Sequence, residues 1–361
     1  MDLVDREGVL PLYVQVQRRI RRAILDGTLT DRVPSERALA RQYGIAQMTV
    51  RRALAGLVDE GILTRQVGRG TFVCRPGTAP RKTYQLGFAL HPAVAGGIRN
   101  PYFSHVLHGA EQTARAHGFS IVFTSAVEEL LHTVHSRSRR KVDGILAVAI
   151  DDEEAVHRCA RVVPTVVLDN EFDGVACVVA DNEAGAYTAT AHLVALGHRR
   201  IAHLAGSSDS AVGRARLAGY RKALLDAGLP CHDSLVVPGT FDSDAGHAGV
   251  GALQALPEPP SAIFCVNDAV ALGAMKRLKN MGRRVPDDVS ILGFDDIETA
   301  AFADPPLTTV RVDQERLGAL AAEMLLAAVH HRQAPAERSL VPVELVVRQS
   351  CRPPHRGGFP R

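Results

Sequence analysis

A chain of 361 residues with 46% hydrophobic and 22% charged residues has the make-up of a globular protein long enough for two or three domains. Its formal net charge of +3 is too small to mark the whole chain as a nucleic-acid binder, so such a role must rest on a local concentration of base. The start of the chain lacks a basic and then apolar leader, no run approaches the roughly 18 apolar residues of a membrane span, and the six cysteines show no paired spacing, which together predict a cytoplasmic protein without disulfides, metal or membrane contact.

Leu12, Val16, Ile20, Ile24 and Leu25 repeat at helical spacing with arginines between them, and Gly27 closes this first helix. Pro34-Ser35-Glu36 then has the form of a helix start, a capping hydroxyl followed by an acid at the positive end of the helix dipole. Ala38, Leu39 and Tyr43 give that helix an apolar stripe, and Gly44 ends it. In the next helix Val50, Ala53, Leu54, Leu57 and Val58 form one buried face, while Gln47, Thr49, Arg51 and Arg52 point elsewhere. Amides, hydroxyls and guanidinium groups at the start of a second helix are what a major-groove reader requires. After Gly61, the stretches 62–64 and 71–73 read as two strands around the glycine-flanked turn Gly68-Arg69-Gly70, a wing tipped with arginine. A solvated basic hairpin beside an ordinary helix pair would show some of these features. The clustering of Arg18, Arg19, Arg21, Arg22, Arg37 and Arg41 with the helix and wing arginines favours a DNA-reading head.

The stretch resembles the GntR-type winged helix-turn-helix, in Pro11-Leu12-Tyr13, Pro34-Ser35-Glu36-Arg37, Thr49-Val50-Arg51, Ala53-Leu54, Glu60-Gly61 and residues 68–73. The resemblance implies that Arg37, Gln47, Thr49, Arg51, Arg52, Arg69 and Gly70 face DNA. Two departures stand out: residues 28–33 are a short lead-in, and Ala46-Gln47 stands where a hydroxyl residue and arginine are common. Glutamine pairs bidentately with adenine where arginine would choose guanine, so the operator sequence is this chain's own.

Past Cys74 the text changes to a Pro-, Gly- and base-rich linker at residues 75–83. From Tyr84 onward apolar runs at 85–90, 120–124, 144–149, 165–168, 177–180, 200–204, 262–265 and 290–294 alternate with helical stretches at 103–117, 184–196, 213–227, 244–255 and 268–281. Continuous apolar strands between helices mean parallel sheets covered on both faces, and this many strands predict an α/β domain of two βαβ lobes. The expected division is therefore a winged head at 1–74, the linker, a two-lobed domain at 84–353 and a tail at 354–361. Ligands in such folds sit beyond the carboxyl ends of strands, which shortlists His91, residues 100–103, Asp169-Asn170, Gly206-Ser207, Asn267-Asp268 and Asp295-Asp296.

This second part resembles the LacI/GalR-type effector domain, a periplasmic-binding-protein-like fold, in Asn100-Pro101-Tyr102-Phe103, Leu196-Gly197-His198, Arg216-Leu217-Ala218-Gly219-Tyr220, Asn267-Asp268, Gly293-Phe294-Asp295-Asp296 and residues 306–310. A winged head replaces that family's own DNA-binding head, as in the small group of GntR-headed, LacI-bodied repressors of the arabinose-repressor type. The resemblance implies that Asp169, Arg216, Asn267 and Asp295 hydrogen-bond an effector, with Tyr102, Phe103 and Phe241 as stacking walls. Carboxylates, an amide and a guanidinium beside apolar rings suit the vicinal hydroxyls of a sugar, while the flat rings suit a purine equally. Either of Asp295 and Asp296 is also a residue that turns chains, Phe241 reads equally as core, and Arg216 as half of an ion pair.

Other chemistries lack their patterns. His330-His331, and His192 with His198, have no further ligands at metal spacing, and Gly206 to Ser210 match neither GxGxxG nor a P-loop. No GxSxG elbow is present. The expectation is a protein without cofactor or catalysis: a homodimeric, sequence-specific transcriptional regulator, released from its operator by a sugar. The alternatives are a purine- or nucleoside-responsive corepressed regulator, or a sugar-binding protein whose amino-terminal domain makes protein contacts only.

Overall fold

The computed structural model describes residues 11–59, 62–66, 70–73, 83–125, 142–331 and 337–354. Arg69, and the expected linker apart from Thr83, lie outside the described residues. Compact packing separates two units, one holding the amino-terminal residues and one holding most of the rest, and each is taken by itself.

In the first unit, α1 (Leu12–Leu25) precedes α2 (Glu36–Tyr43) and α3 (Gln47–Asp59). Ser35 caps α2, its side chain accepting from Ala38 N–H at 3.2 Å, and Gly44 ends it at φ 65°, a left-handed turn that glycine adopts without a Cβ clash. The three apolar stripes meet in one core in which Val16, Ile20, Leu39, Val50, Leu54 and Leu57 are buried. Strands β1 (Leu63–Gln66) and β2 (Gly70–Val73) pair antiparallel, Leu63 opposite Val73 and Gln66 opposite Gly70. The short lead-in becomes a third rung of this wing: Val33 N–H donates to Thr71 O at 2.8 Å and Val73 N–H to Asp31 O at 2.6 Å.

The second unit is built on two six-stranded sheets. The first contains β3 (Gln85–Leu90), β4 (Ser120–Thr124), β5 (Gly144–Val148), β6 (Thr165–Leu168), β7 (Ala176–Ala180) and β13 (Arg338–Val341), in the order β13-β7-β6-β5-β3-β4. The second contains β8 (Ile201–Leu204), β9 (Val236–Val237), β10 (Ala262–Cys265), β11 (Ser290–Asp295), β12 (Thr308–Val312) and β14 (Val343–Val346), in the order β14-β12-β11-β10-β8-β9. The β12–β14 pair is antiparallel, and the other pairings registered in this sheet are parallel. Four-residue strands such as β6 and β10, buried at every position, are the near-continuous apolar runs that two covered faces demand.

Helices α4 (Pro101–Ala116) and α5 (Glu153–Ala160) serve the first sheet; α6 (Asn182–Ala195), α7 (Ala211–Asp226), α8 (Ser243–Gln254), α9 (Asp268–Asn280) and the short α10 (Glu298–Ala301) serve the second. The long α11 (Gln314–His331) returns to the first sheet and packs along α4. The chain therefore changes lobe three times, around Asp181, Asp313 and Pro342. Gly109 and Gly318 let α4 and α11 approach backbone to backbone, since a Cβ on either would collide with a carbonyl of the other helix. His198 serves the core: its ring meets Ser261 Oγ at 2.8 Å and Ser290 Oγ at 3.1 Å, and lies 2.9 Å from Arg352 O, which fastens the end of the described chain to the second lobe.

Candidate functional site

The carboxyl ends of the central strands bring together four of the seven side chains expected in the effector pocket. Asp169 follows β6 with φ 57°, and Asp295 ends β11 with φ 104°, left-handed conformations that non-glycine residues rarely hold without a surrounding structure that imposes them. Tyr102, buried at the start of α4, donates its hydroxyl to Asp169 Oδ1 at 3.0 Å. Asp169 Oδ2 is buried and without a hydrogen-bond partner. Across the cleft Arg216, buried in α7, donates from Nε to Asn182 Oδ1 at 2.8 Å, from Nη1 to Val266 O at 2.5 Å and from Nη2 to Asp295 Oδ1 at 3.1 Å. Its guanidinium carbon lies 3.6 Å from the centre of the Phe294 ring, so the cation is fixed from its face as well as its edges.

Burial drives the electrostatics. Desolvation pushes the Asp169 carboxyl up to about 6, against the Tyr102 hydrogen bond and the charge of Arg216 and with the charge of Asp295. It raises Asp295 to about 6 as well, with Arg216 opposing. The Tyr102 hydroxyl is held well above its ordinary value by burial and then by the two carboxylates. The site thus holds two acids and one cation, already committed to one of those acids, and offers an unsatisfied acceptor.

The other three expected residues stand differently. Asn267 caps α9, its Oδ1 accepting from Val270 N–H at 2.9 Å, and its Nδ2 donates to Phe241 O at 2.9 Å, so it secures the loop that carries the ring. Phe241 packs against Gly206, where a Cβ would strike the ring. Phe103 is half-buried and meets Tyr102 edge to face at 5.0 Å. A cavity of about 660 Å³ opens beside Asp169 between the two lobes, lined also by Asn170, Asn182, Val212, Ala215 and Arg338; it shares Asp169 alone with the expected set. Asn182 is the residue the sequence reading missed. It follows β7 as Asp169 follows β6, so the strand-end rule that found Asp169 had the signal for it.

In the head, one carboxylate gathers the predicted readers. Glu36 Oε2 accepts from Arg51 Nε at 3.1 Å and from Gln47 Nε2 at 3.5 Å, and its Oε1 accepts from Arg65 Nη2 of β1 at 2.6 Å. Burial pushes this carboxyl up, but the Arg51 and Gln47 hydrogen bonds and the two arginine charges outweigh it and hold it below the usual carboxylate range. Arg37, Gln47, Arg51 and Arg52 are exposed and Thr49 is half-buried. Arg52 lies with its guanidinium 4.2 Å from the Tyr13 ring centre, held against α1. Gly70 opens β2 at φ 121°, with Arg32 packed on it.

Residues 12–73 match the model of the gntR family of bacterial regulatory proteins, and residues 190–351 match the periplasmic binding protein-like domain. The HTH-type transcriptional repressor PurR of Vibrio campbellii is 33% identical over 261 residues, which cover 70% of this chain and 78% of that one. The chain belongs to the LacI-type transcriptional regulators, with a gntR-family head. The chain is similar in structure to the transcriptional regulator CelR in complex with cellobiose, at 27% identity and TM-score 0.68 over 88% of this chain and 100% of that one. It is similar also to a LacI-family regulator from Enterococcus faecium with bound ribose, at 27% identity and TM-score 0.66 over 74% and 99% of the two chains. As a LacI-type regulator the chain binds DNA and answers to a small molecule through its two-lobed domain. Among the described residues, no helix is long and apolar enough to cross a membrane.

Proposed function

We propose that this LacI-type regulator is a homodimeric repressor released from its operator by a sugar held between the lobes against Asp169, Arg216 and Asp295. The observation that carries this reading is the buried, unpartnered Asp169 Oδ2 in a site where Asp295 is the second acid. An unsatisfied buried acceptor is costly, and a hydroxyl that donates to it recovers that cost. An anionic ligand would meet two carboxylates and an arginine that is already paired, so a neutral polyol fits better than a phosphorylated one. Fixed by backbone strain and buried pairing, the acids serve as acceptors in a binding site, not as an acid–base couple. Cellobiose and ribose in the two structural relatives support the sugar class. Phe103, half-buried beside Tyr102, supports a second reading: a purine stacked there, donating its N–H groups to the same acids.

In this proposal residues 1–74 form the head, 75–83 the linker and 84–353 the effector and dimerisation domain, acting in the cytoplasm with two heads on one pseudo-palindromic operator. Arg37, Gln47, Thr49, Arg51, Arg52, Arg69 and Gly70 make up its DNA face. Closure of the lobes on the ligand supplies a coupling of about 1–3 kcal/mol, enough for a 5- to 150-fold change in operator affinity.

The test is a thermal-shift screen of the full chain against pentoses, hexoses, disaccharides, nucleosides and purines, repeated on Asp169→Asn. A ligand at 100 times its dissociation constant adds about 2.7 kcal/mol of stability. A sugar that stabilises the wild type but not the variant, and frees DNA, supports the reading. A purine that stabilises the protein and tightens DNA binding replaces it with corepression.

A further inference from the structure

Met48 is the second residue of α3 and stands 67% exposed, outside the apolar core that joins the three helices of the head. Among the residues from 11 to 73 whose side chains are described, no other large apolar one is left this open. Its surroundings are ordered. Arg51 Nη1 lies 4.0 Å from Met48 Sδ, and the same Arg51 is bound through Nε to Glu36, which also receives Gln47. Arg51 therefore stands between Gln47, with which it shares Glu36, and Met48, so that an amide, a guanidinium and a methyl-bearing thioether follow one another around the helix start. Glu36 pins the two polar members, and the apolar one stands open to solvent beside Arg51.

A duplex offers a matching row. In the major groove an A·T pair shows N7 and the N6 amino group of adenine on one side and the C5-methyl of thymine on the other, and that methyl is the groove's one apolar landmark. Gln47 is of the residue type that takes the adenine edge bidentately. A flexible, polarisable methionine beside it suits the methyl.

We propose that Met48 is a specificity-determining residue that reads a thymine C5-methyl group in the operator's major groove, next to the base read by Gln47. The proposal rests on α3 being the groove-reading helix. It gives the head a preference for A·T pairs at the start of α3. The preference comes from burial of apolar surface instead of charge, so it adds nothing to the salt dependence of binding.

The experiment starts with cyclic selection of duplexes from a random-sequence pool by the full-length protein. The enriched duplex is then remade with deoxyuridine in place of each thymidine in turn, which removes only the C5-methyl. Wild-type protein loses about fourfold in affinity at one thymine per half-site, the fold-change that corresponds to about 0.8 kcal/mol for one buried methyl or methylene group. Met48→Ala binds the unmodified duplex more weakly, keeps the wild-type melting temperature and salt slope, and shows no further loss at that thymine. Met48→Leu retains the penalty. Deoxyuridine penalties that are the same in wild type and Met48→Ala would overturn the proposal while leaving α3 as the reader. Failure of the pool to enrich any sequence would sink the groove-reading assignment and Met48 with it.

Discussion

Arg216 and Asp295 form a buried ion pair, Nη2 to Oδ1 at 3.1 Å, with side chains only 4% and 10% exposed. The cation also satisfies Asn182 Oδ1 and the Val266 carbonyl and lies flat on Phe294. One side chain thus ties the ends of β10 and β11 to α6 and α7. Replacing it with Met keeps most of the volume but strands a carboxylate, an amide oxygen and a carbonyl. Breaking a buried pair from one side costs about 3–5 kcal/mol. Arg216→Met should lose stability of that order in urea denaturation and lose the effector response with it; a loss under about 1 kcal/mol would mean that water replaces the guanidinium at no cost.

The two raised acids make effector binding depend on pH. Asp169 and Asp295 titrate near 6 in the fold and near 3.8 as free side chains, so the native state binds protons that the unfolded chain has released. Their contribution to stability is fully present below about 3.8 and is lost as pH rises through about 6. Effector binding runs the other way, because a hydroxyl donates best to an ionised carboxylate. Calorimetric affinity for a sugar should therefore hold from about pH 8 to pH 7 and fall up to about tenfold per unit for each acid below about pH 6. A profile flat down to about pH 5 would remove the carboxylates from the contact.

Helix contact in the first lobe sets a third expectation. A Cβ at Gly318 would meet the Val106 carbonyl, and one at Gly109 the Glu315 carbonyl, both backbone atoms that cannot swing away. Gly318→Ala forces α4 and α11 apart and should destabilise by about 1–3 kcal/mol, occasionally more. In a domain of this size each kcal/mol lowers the melting temperature by about 2–4 °C. Operator affinity at low temperature should stay unchanged. A variant that melts with the wild type would show that the helices have room to slide.

Much of this was legible beforehand. The strands at 85–90, 165–168 and 262–265 stand as read, because four to six mostly apolar residues between turns have one home in a covered parallel sheet, and 120–124 stands as read at the sheet's more exposed edge. The capping Ser35 and the terminator Gly44 behave as their chemistry requires. The reading named no element after residue 294, where β12, α11, β13 and β14 close both sheets. The reason is physical: α11 packs against the sheet and against α4 along most of its length, so Leu317, Ala321, Ala322, Leu325 and Leu326 are buried and little polar face remains to mark its period. In the site, the strand-end rule marked Asp169 and Asp295 and the family resemblance marked Arg216, but no local pattern reports that Asn267 spends its amide on a cap and on Phe241. Those partners are far away in sequence. Glu36 was readable as the first acid of α2, whereas its hold on Arg51 depends on how α2 packs on α3, and its hold on Arg65 on the way the wing folds back.

That carboxylate supports a last prediction. Glu36 is mostly covered, while Arg51 and Arg65 are about half exposed, so each pair contributes about 0–1 kcal/mol to folding. Glu36→Gln should fold normally. On DNA two effects oppose each other. Losing a negative charge beside the phosphates strengthens binding to any sequence, and exchanging one of the two accepting oxygens for an NH2 donor loosens the hold on Arg51 and Gln47 that keeps them in the row in which they meet base edges. Register matters for the selected duplex alone. The ratio of affinities for the selected and a scrambled duplex should thus fall by about five- to tenfold, or about 1–1.4 kcal/mol, even where the scrambled duplex binds more tightly than before. Competition titrations at two salt concentrations separate the terms, because only the phosphate term follows the ionic strength. An unchanged ratio would reduce Glu36 to a surface ion pair and leave α3 to align its own side chains.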